Sequence, residues 1–245
     1  MLDIYQYPDL YDSMHLNYSL DSKFISNFSQ KNGGPVLELA SGTGRLSEII
    51  IDQGLDYTGI DLSKEFIDTA KNKFKQKSNF LLRDMRDFNL GKKFKFIFIG
   101  FNSFLHNLTI KDAYKTIECV SKHILDNGVF LLSIFIPDPS FLFRDKNNFY
   151  PATDYFSYKS SKCRIMEKNI YEESSSINTL FWNLEVNGII QPETYTFKQK
   201  MYYPHEIDIL FESSSLKIKE KLGSYDGSKM NESSSMQIYI CEKKS

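Results

Sequence analysis

The chain lacks most of the features that settle a protein's class at a glance. No apolar run approaches the ~20 residues that a membrane-spanning helix needs. The longest, "VFLLSIFI" at positions 129–136, has the length of a buried strand. Three cysteines, Cys119, Cys163 and Cys241, are too few and too scattered for a disulfide framework, and no C-x-x-C pair marks a zinc site, so no metal is expected and a reducing cytoplasm suits the chain. Neither charge is in excess: 30 Lys and Arg against 31 Asp and Glu leave a net charge of −1, which provides no general field for nucleic acid or an anionic membrane. The opening "MLDIYQYPDLYD" carries acids where a signal peptide would need a basic patch and then an apolar run. Internal repeats and long linkers are missing too, and the serine triplets near positions 174, 213 and 233 read as turns. A globular chain of 245 residues remains, long enough for a full core, with a small molecule as its expected partner.

From Gly34 onward β-rich runs alternate with helical ones. Strands are expected at 35–39, 57–62, 79–84, 94–100 and 129–136, and helices at 45–53, 63–74 (capped by Ser63) and 109–125, where Gly128 is expected to serve as a left-handed cap. That alternation, with near-continuous apolar strands, implies a parallel sheet covered on both faces. After Pro137 the pattern changes: strand-like runs at 163–173, 178–190 and 193–203 read as an antiparallel insertion, 138–203, lying over one end of the sheet. A helix within 204–216 and a hairpin from 217–225 and 235–243 close the chain.

The stretch "VLELASGTGRL", positions 36–46, ends a strand in a loop of small residues, Ala40, Ser41, Gly42 and Gly44 among them, which lets the backbone approach a ligand closely. In such a sheet the ligand lies outside the carboxyl ends of the strands. A dinucleotide fingerprint would need a third glycine where Ser47 stands, and a P-loop would need a Lys-Ser or Lys-Thr pair. Glu38, just before the loop, would repel phosphate and could hold an ammonium group. Asp61, with Leu62 beside it, can accept from both ribose hydroxyls; Asp84 can accept from an adenine amino group, and Met85 can pack on the purine. These describe an adenosine joined to a charged amino acid. Arg45 could contact that ligand or brace its own loop.

The ordered array "VLELASGTGR", "YTGIDLS", "LLRDMRDF", "FNSFLHNLT" and "LDNGVFLLSIFIP" resembles the class I S-adenosylmethionine-dependent methyltransferases, closest to their small-molecule branch with the aminosugar N-methyltransferases and glycine N-methyltransferase-like enzymes. The resemblance covers 1–137, and 201–227 is similar to the carboxyl-terminal helix and hairpin of that branch. It implies an α/β, Rossmann-like, seven-stranded and mostly parallel sheet flanked by helices, with the last strand antiparallel. Residues 1–137 and 204–245 would bind S-adenosylmethionine, and the insertion 138–203 would cap the substrate. One departure is Ala40, which stands where many members have glycine. By the same resemblance Tyr11 closes over the cofactor, and Phe101 and Asn102 meet its methionine part.

Methyl transfer is an in-line displacement that mainly requires alignment, so a base is optional. His106 is the preferred candidate, with Tyr11 beside it and with His15 and His205 behind; His123 is expected at the surface. The aromatics of the insertion, Trp182 and Phe197 among them, are expected to be mostly its own core. The reading is a methyltransferase acting on a nitrogen or oxygen of a small-molecule acceptor, a monomer or homodimer without nucleic acid or membrane partners. The alternatives are a cofactor-binding protein without turnover and a nicotinamide-dependent oxidoreductase.

Overall fold

A computed structural model of the chain describes residues 1–75 and 78–244. Two amino-terminal helices, α1 (Pro8–His15) and α2 (Ser22–Asn32), precede the alternating part. That part runs β1 (Val36–Leu39), α3 (Ser47–Asp52), β2 (Tyr57–Asp61), α4 (Lys64–Phe74), β3 (Asn79–Leu82), β4 (Phe94–Ile99), α5 (Ile110–His123) and β5 (Ile124–Phe135). There follow α6 (Pro139–Leu142), β6 (Tyr150–Pro151), β7 (Phe156–Tyr158), β8 (Ser161–Glu172), β9 (Ile177–Val186) and β10 (Ile189–Lys200). The chain closes with α7 (Pro204–Glu212), β11 (Leu216–Leu222) and β12 (Met236–Lys243).

The main sheet has seven strands in the order β11-β12-β5-β4-β1-β2-β3. Strands β1 to β5 pair parallel, and the last strand, β12, runs antiparallel to both of its neighbours, as expected. Strand order reverses between β1 and β4, which places a crevice at their carboxyl ends. The apolar strand sequences are explained by burial on both faces. Val36, Phe96 and Leu131 pack with Ile25, Ile50 and Ile67 from α2, α3 and α4, while Leu37, Ile97 and Phe130 pack with Ile117, Val120 and Phe211 from α5 and α7. Ser63 caps α4 as its spacing predicts, accepting the Phe66 N–H at 3.1 Å.

The end of α5 departs from expectation. Gly128 is no left-handed cap: the helix stops at His123, β5 begins at once, and the partners step from Phe94↔Ile124 to Phe96↔Val129. A Cβ on Gly128 would lie 2.7 Å from Ile124 Cγ1 and 3.0 Å from the Phe94 carbonyl oxygen, so glycine serves close approach within this bulge. His123 is buried, not at the surface. Its Nδ1 bonds the Cys119 carbonyl at 2.7 Å, and its Nε2 accepts the Leu90 N–H at 3.2 Å.

A second sheet, in the order β10-β9-β8-β6 with β7 also on β8, is antiparallel. The run expected as one strand at 178–190 is cut by a two-residue turn, Asn187 and Gly188, both with positive φ (49° and 86°), a conformation that Asn-Gly tolerates. The register puts Glu167, Trp182 and Tyr195 side by side on one face. Leu2 extends the β10 edge, its N–H donating to the Thr194 carbonyl and its carbonyl accepting the Thr196 N–H, both at 2.9 Å. The Ser63 hydroxyl, at the start of α4, donates to the Tyr5 carbonyl at 2.7 Å, so the amino terminus ties the second sheet to a helix of the first.

Candidate functional site

After β1 the backbone turns through Ala40, Gly42 and Gly44, all at positive φ (57°, 58° and 88°). At Gly44 a Cβ would meet the Phe74 ring at 2.5 Å, so only glycine fits. Ala40 holds the left-handed conformation at a cost of about 1 kcal/mol. The loop is locked to β2 through a carboxylate: Asp61 accepts the Gly42 N–H on Oδ2 and the Ser63 N–H on Oδ1, each at 2.8 Å. After β4, Phe101 and Asn102 are also at positive φ, and Asn102 Oδ1 accepts the Phe135 N–H at 2.8 Å. Such strain persists where surrounding structure overdetermines the backbone, a pattern typical of ligand sites.

These loops bound a cleft of about 520 Å³ at the carboxyl ends of the parallel strands, with the second sheet as its opposite wall. Ten of the residues singled out from sequence line it: Tyr11, Ala40, Gly42, Asp61, Leu62, Asp84, Met85, Phe101, Asn102 and His106. His15, a lesser candidate, lines it as well; His205 lies exposed elsewhere.

Glu38, Ser41, Gly44 and Arg45 stand outside the lining among the described residues. Glu38 is buried behind the loop, where Oε2 accepts from the Tyr57 hydroxyl at 2.5 Å, and burial pushes its carboxyl up to about 8. Ser41 is wedged against β2, 2.7 Å from where a Gly59 Cβ would stand. Of the two roles open to Arg45, the geometry is that of a brace: it forks onto buried Asp21 at 2.8 and 2.6 Å, with its guanidinium 5.3 and 5.0 Å from the Tyr18 and Phe101 ring centres. Asp84 is gripped by Arg86 at 2.6 Å, which holds its carboxyl below the usual range while leaving it on the cleft wall.

His106 stands on the cleft wall beside Tyr5. Its Nε2 lies 2.8 Å from the Tyr5 hydroxyl, and burial lowers the imidazole to about 4. His15, with Nδ1 at 2.9 Å from the Tyr11 carbonyl, is lowered by burial to about 4 as well. Burial raises the Tyr5 and Tyr11 phenols. All four side chains are therefore neutral near pH 7. Asp3, Tyr5, Ser63, Glu167 and Gln199 also line the cleft and were not anticipated. The density of acids and tyrosines in "DIYQYPDLYD" was a signal for the first two; Glu167 and Gln199 reach the cleft only through strand register.

Among the described residues no group of three or more His, Cys, Asp or Glu could hold a metal ion, and no helix is long and apolar enough to cross a membrane. Residues 36–128 match the family described as a methyltransferase domain. The chain is 30% identical over 161 residues to YqeM of Bacillus subtilis (strain 168), whose name places it among the methyltransferases; that alignment covers 60% of this chain and 65% of the relative. It is 25% identical over 130 residues to the dTDP-3-amino-3,4,6-trideoxy-alpha-D-glucopyranose N,N-dimethyltransferase of Streptomyces venezuelae, covering 50% of this chain and 54% of the relative. The chain thus spans less than two thirds of the length of either curated relative. Among solved structures, an S-adenosylmethionine-dependent methyltransferase from Clostridium acetobutylicum ATCC 824 has the same fold, with a TM-score of 0.79 at 21% identity over 96% of this chain and 97% of that one.

Proposed function

We propose, for a chain whose residues 36–128 match the methyltransferase-domain family, that it transfers a methyl group from S-adenosylmethionine to a nitrogen or oxygen of a small-molecule acceptor, with an amine nitrogen favoured. The observation that carries the cofactor assignment is the locked carboxylate. Gly42 already donates its N–H to Asp61, so the loop offers that donor to no phosphate, and the Asp61 charge would repel one. The same carboxylate, fixed from behind by two N–H groups, keeps lone pairs for neutral donors such as ribose hydroxyls. The residues present therefore fit an adenosyl amino acid better than a dinucleotide. Asp84 and Met85 would take the adenine edge and face, and Tyr11, Phe101 and Asn102 the amino-acid end.

When bound, the cofactor supplies a methyl group already activated on a sulfonium. The chain's own part is alignment and exclusion of water. Tyr5 and His106 hold each other at 2.8 Å, and Tyr5 packs edge-on against Phe66 and Phe197, which leaves a firm, neutral wall at the reacting end. An alcohol would need a base to attack, and the cleft histidines, lowered to about 4, are poor ones; an amine arriving as the free base needs none. His106 accordingly orients the acceptor and is not its base. Residues 1–137 and 204–245 form the cofactor part and 138–203 the substrate cap, in a chain whose three buried free thiols suit the cytoplasm. The name of the Streptomyces relative, an N,N-dimethyltransferase of an amino sugar nucleotide, supports the nitrogen assignment.

The test is transfer of isotope-labelled methyl from S-adenosylmethionine to matched acceptors, cyclohexylamine against cyclohexanol. Label in the amine and none in the alcohol is expected. Label in the ether would overturn the nitrogen assignment, and label in neither acceptor would overturn the turnover reading for small unadorned amines.

A further inference from the structure

We propose that Glu167, walled by Trp182, is an acceptor-positioning residue that takes a hydroxyl group borne by the acceptor away from its reacting nitrogen. The inference rests on the reading of the cleft as a methyl-transfer site and adds a specificity element to it. Glu167 lies on the cleft face of β8, directly across from Trp182 of β9, and both line the cleft. Only 5% of Glu167 is exposed, and the residue lines that space. From the reacting end, His106 leads to Phe197 at 6.1 Å between ring centres, Phe197 to Trp182 at 4.7 Å, and the Trp182 Nε1–H donates to Glu167 Oε2 at 2.5 Å. The carboxylate therefore stands two ring contacts from the wall at which transfer is placed.

The surroundings of Glu167 specify what it can receive. Arg144 donates to Oε1 at 2.6 Å, with its guanidinium 4.6 and 4.7 Å from the Phe141 and Tyr150 ring centres, and its Nε donates to Asn169 at 2.5 Å. The negative charge is already balanced, so a second ammonium gains little there. Each carboxylate oxygen accepts one hydrogen bond and keeps a further lone pair, which suits a neutral O–H donor. An acceptor without that hydroxyl strips water from the carboxylate and returns nothing, the situation in which a polar site discriminates most strongly. The flat Trp182 ring beside it suits the C–H face of a saturated ring carrying the hydroxyl.

The experiment compares trans-4-aminocyclohexanol with cyclohexylamine, titrated calorimetrically into the protein saturated with S-adenosylhomocysteine, for the unaltered chain and for Glu167→Gln. The unaltered chain is expected to prefer the hydroxylated amine by about tenfold or more, and Glu167→Gln to bring the two affinities within about twofold. A purely structural Glu167 would shift the melting temperature of the variant and leave the preference as it was. An unchanged preference, equal affinities in the unaltered chain, or binding of neither amine overturns the subsite. Failure of S-adenosylhomocysteine itself to bind overturns the cofactor reading beneath it. Should Glu167→Gln not fold, the double variant Arg144→Met with Glu167→Met removes both charges together, a replacement that buried ion pairs often tolerate, and the same loss of preference is expected.

Discussion

The two walls of the cleft are built by different means. On the cofactor side the polar groups are held by backbone: Asp61 is fixed by the N–H groups of Gly42 and Ser63, and the loops around it are short, strained and close to their strands in sequence. On the opposite wall they are held by other side chains: Arg144, from the segment after α6, joins Glu167, Trp182, Asn169 and Asn178 of the antiparallel sheet in one chain of hydrogen bonds. The difference teaches where change is tolerated. Removing a backbone-held carboxylate frees two N–H groups of surface loops, whereas removing one member of a buried side-chain network strands a charge inside the protein.

The comparison breaks first, if it breaks, at the ion pairs. Arg144→Ala should cost about 3–5 kcal/mol of folding stability in urea denaturation, because it strands the Glu167 carboxylate, whereas Arg86→Ala, from the half-exposed pair with Asp84, should cost under about 1 kcal/mol. Equal costs would erase the distinction between the walls. Next in size, Asp61→Ala should leave the chain folded and weaken S-adenosylhomocysteine by about 1.5–3 kcal/mol in calorimetry, the worth of hydrogen bonds to a charged group.

A third effect concerns pH. Glu38, raised by burial to about 8 from a usual value of 4.5, binds its proton more tightly folded than unfolded across that interval. The folded state therefore loses stability as pH rises from 4.5 to 8, by of the order of 1 kcal/mol per unit from this group. His15 and His106 act in the opposite sense below 6.5, since both are lowered to about 4, so the Glu38 slope is cleanest between 6.5 and 8. Glu38→Gln, which can still accept from Tyr57, should flatten that slope; a slope unchanged by the substitution would mean that the carboxyl is not the group titrating. Smallest of all, Ala40→Gly should relieve the left-handed strain and stabilise the chain by up to about 1 kcal/mol. A loss of stability would show that backbone entropy outweighs the strain.

The same contrast explains what was legible in the sequence. Asp61, Asp84 and the small-residue loop could be read because each sits at a strand end, and strand ends follow from local apolar runs and their turns. The five parallel strands and the closing hairpin were legible for the same reason, apart from the end of α5, where Gly128 looks like a cap but relieves a close approach in a bulge, while their union in one seven-stranded sheet was implied by the family resemblance. Glu38 and Arg45 were read by position along the chain, but side-chain direction decides their partners: Glu38 turns to Tyr57 and Arg45 to Asp21, contacts separated by 19 and 24 residues. His106 was read by its place after β4 and lines the cleft, whereas its burial beside Tyr5 and Phe197, distant in sequence, was not legible. Glu167 left no trace in its own neighbourhood, since its place on the cleft face depends on the register of β8 with β9.

The account depends most on one claim, that the locked Asp61 loop holds an adenosyl amino acid and not a dinucleotide. Calorimetric titration of the full chain with S-adenosylhomocysteine and, separately, with NADH tests it directly. The account predicts saturable binding of S-adenosylhomocysteine and none of NADH; binding of NADH without S-adenosylhomocysteine would contradict it.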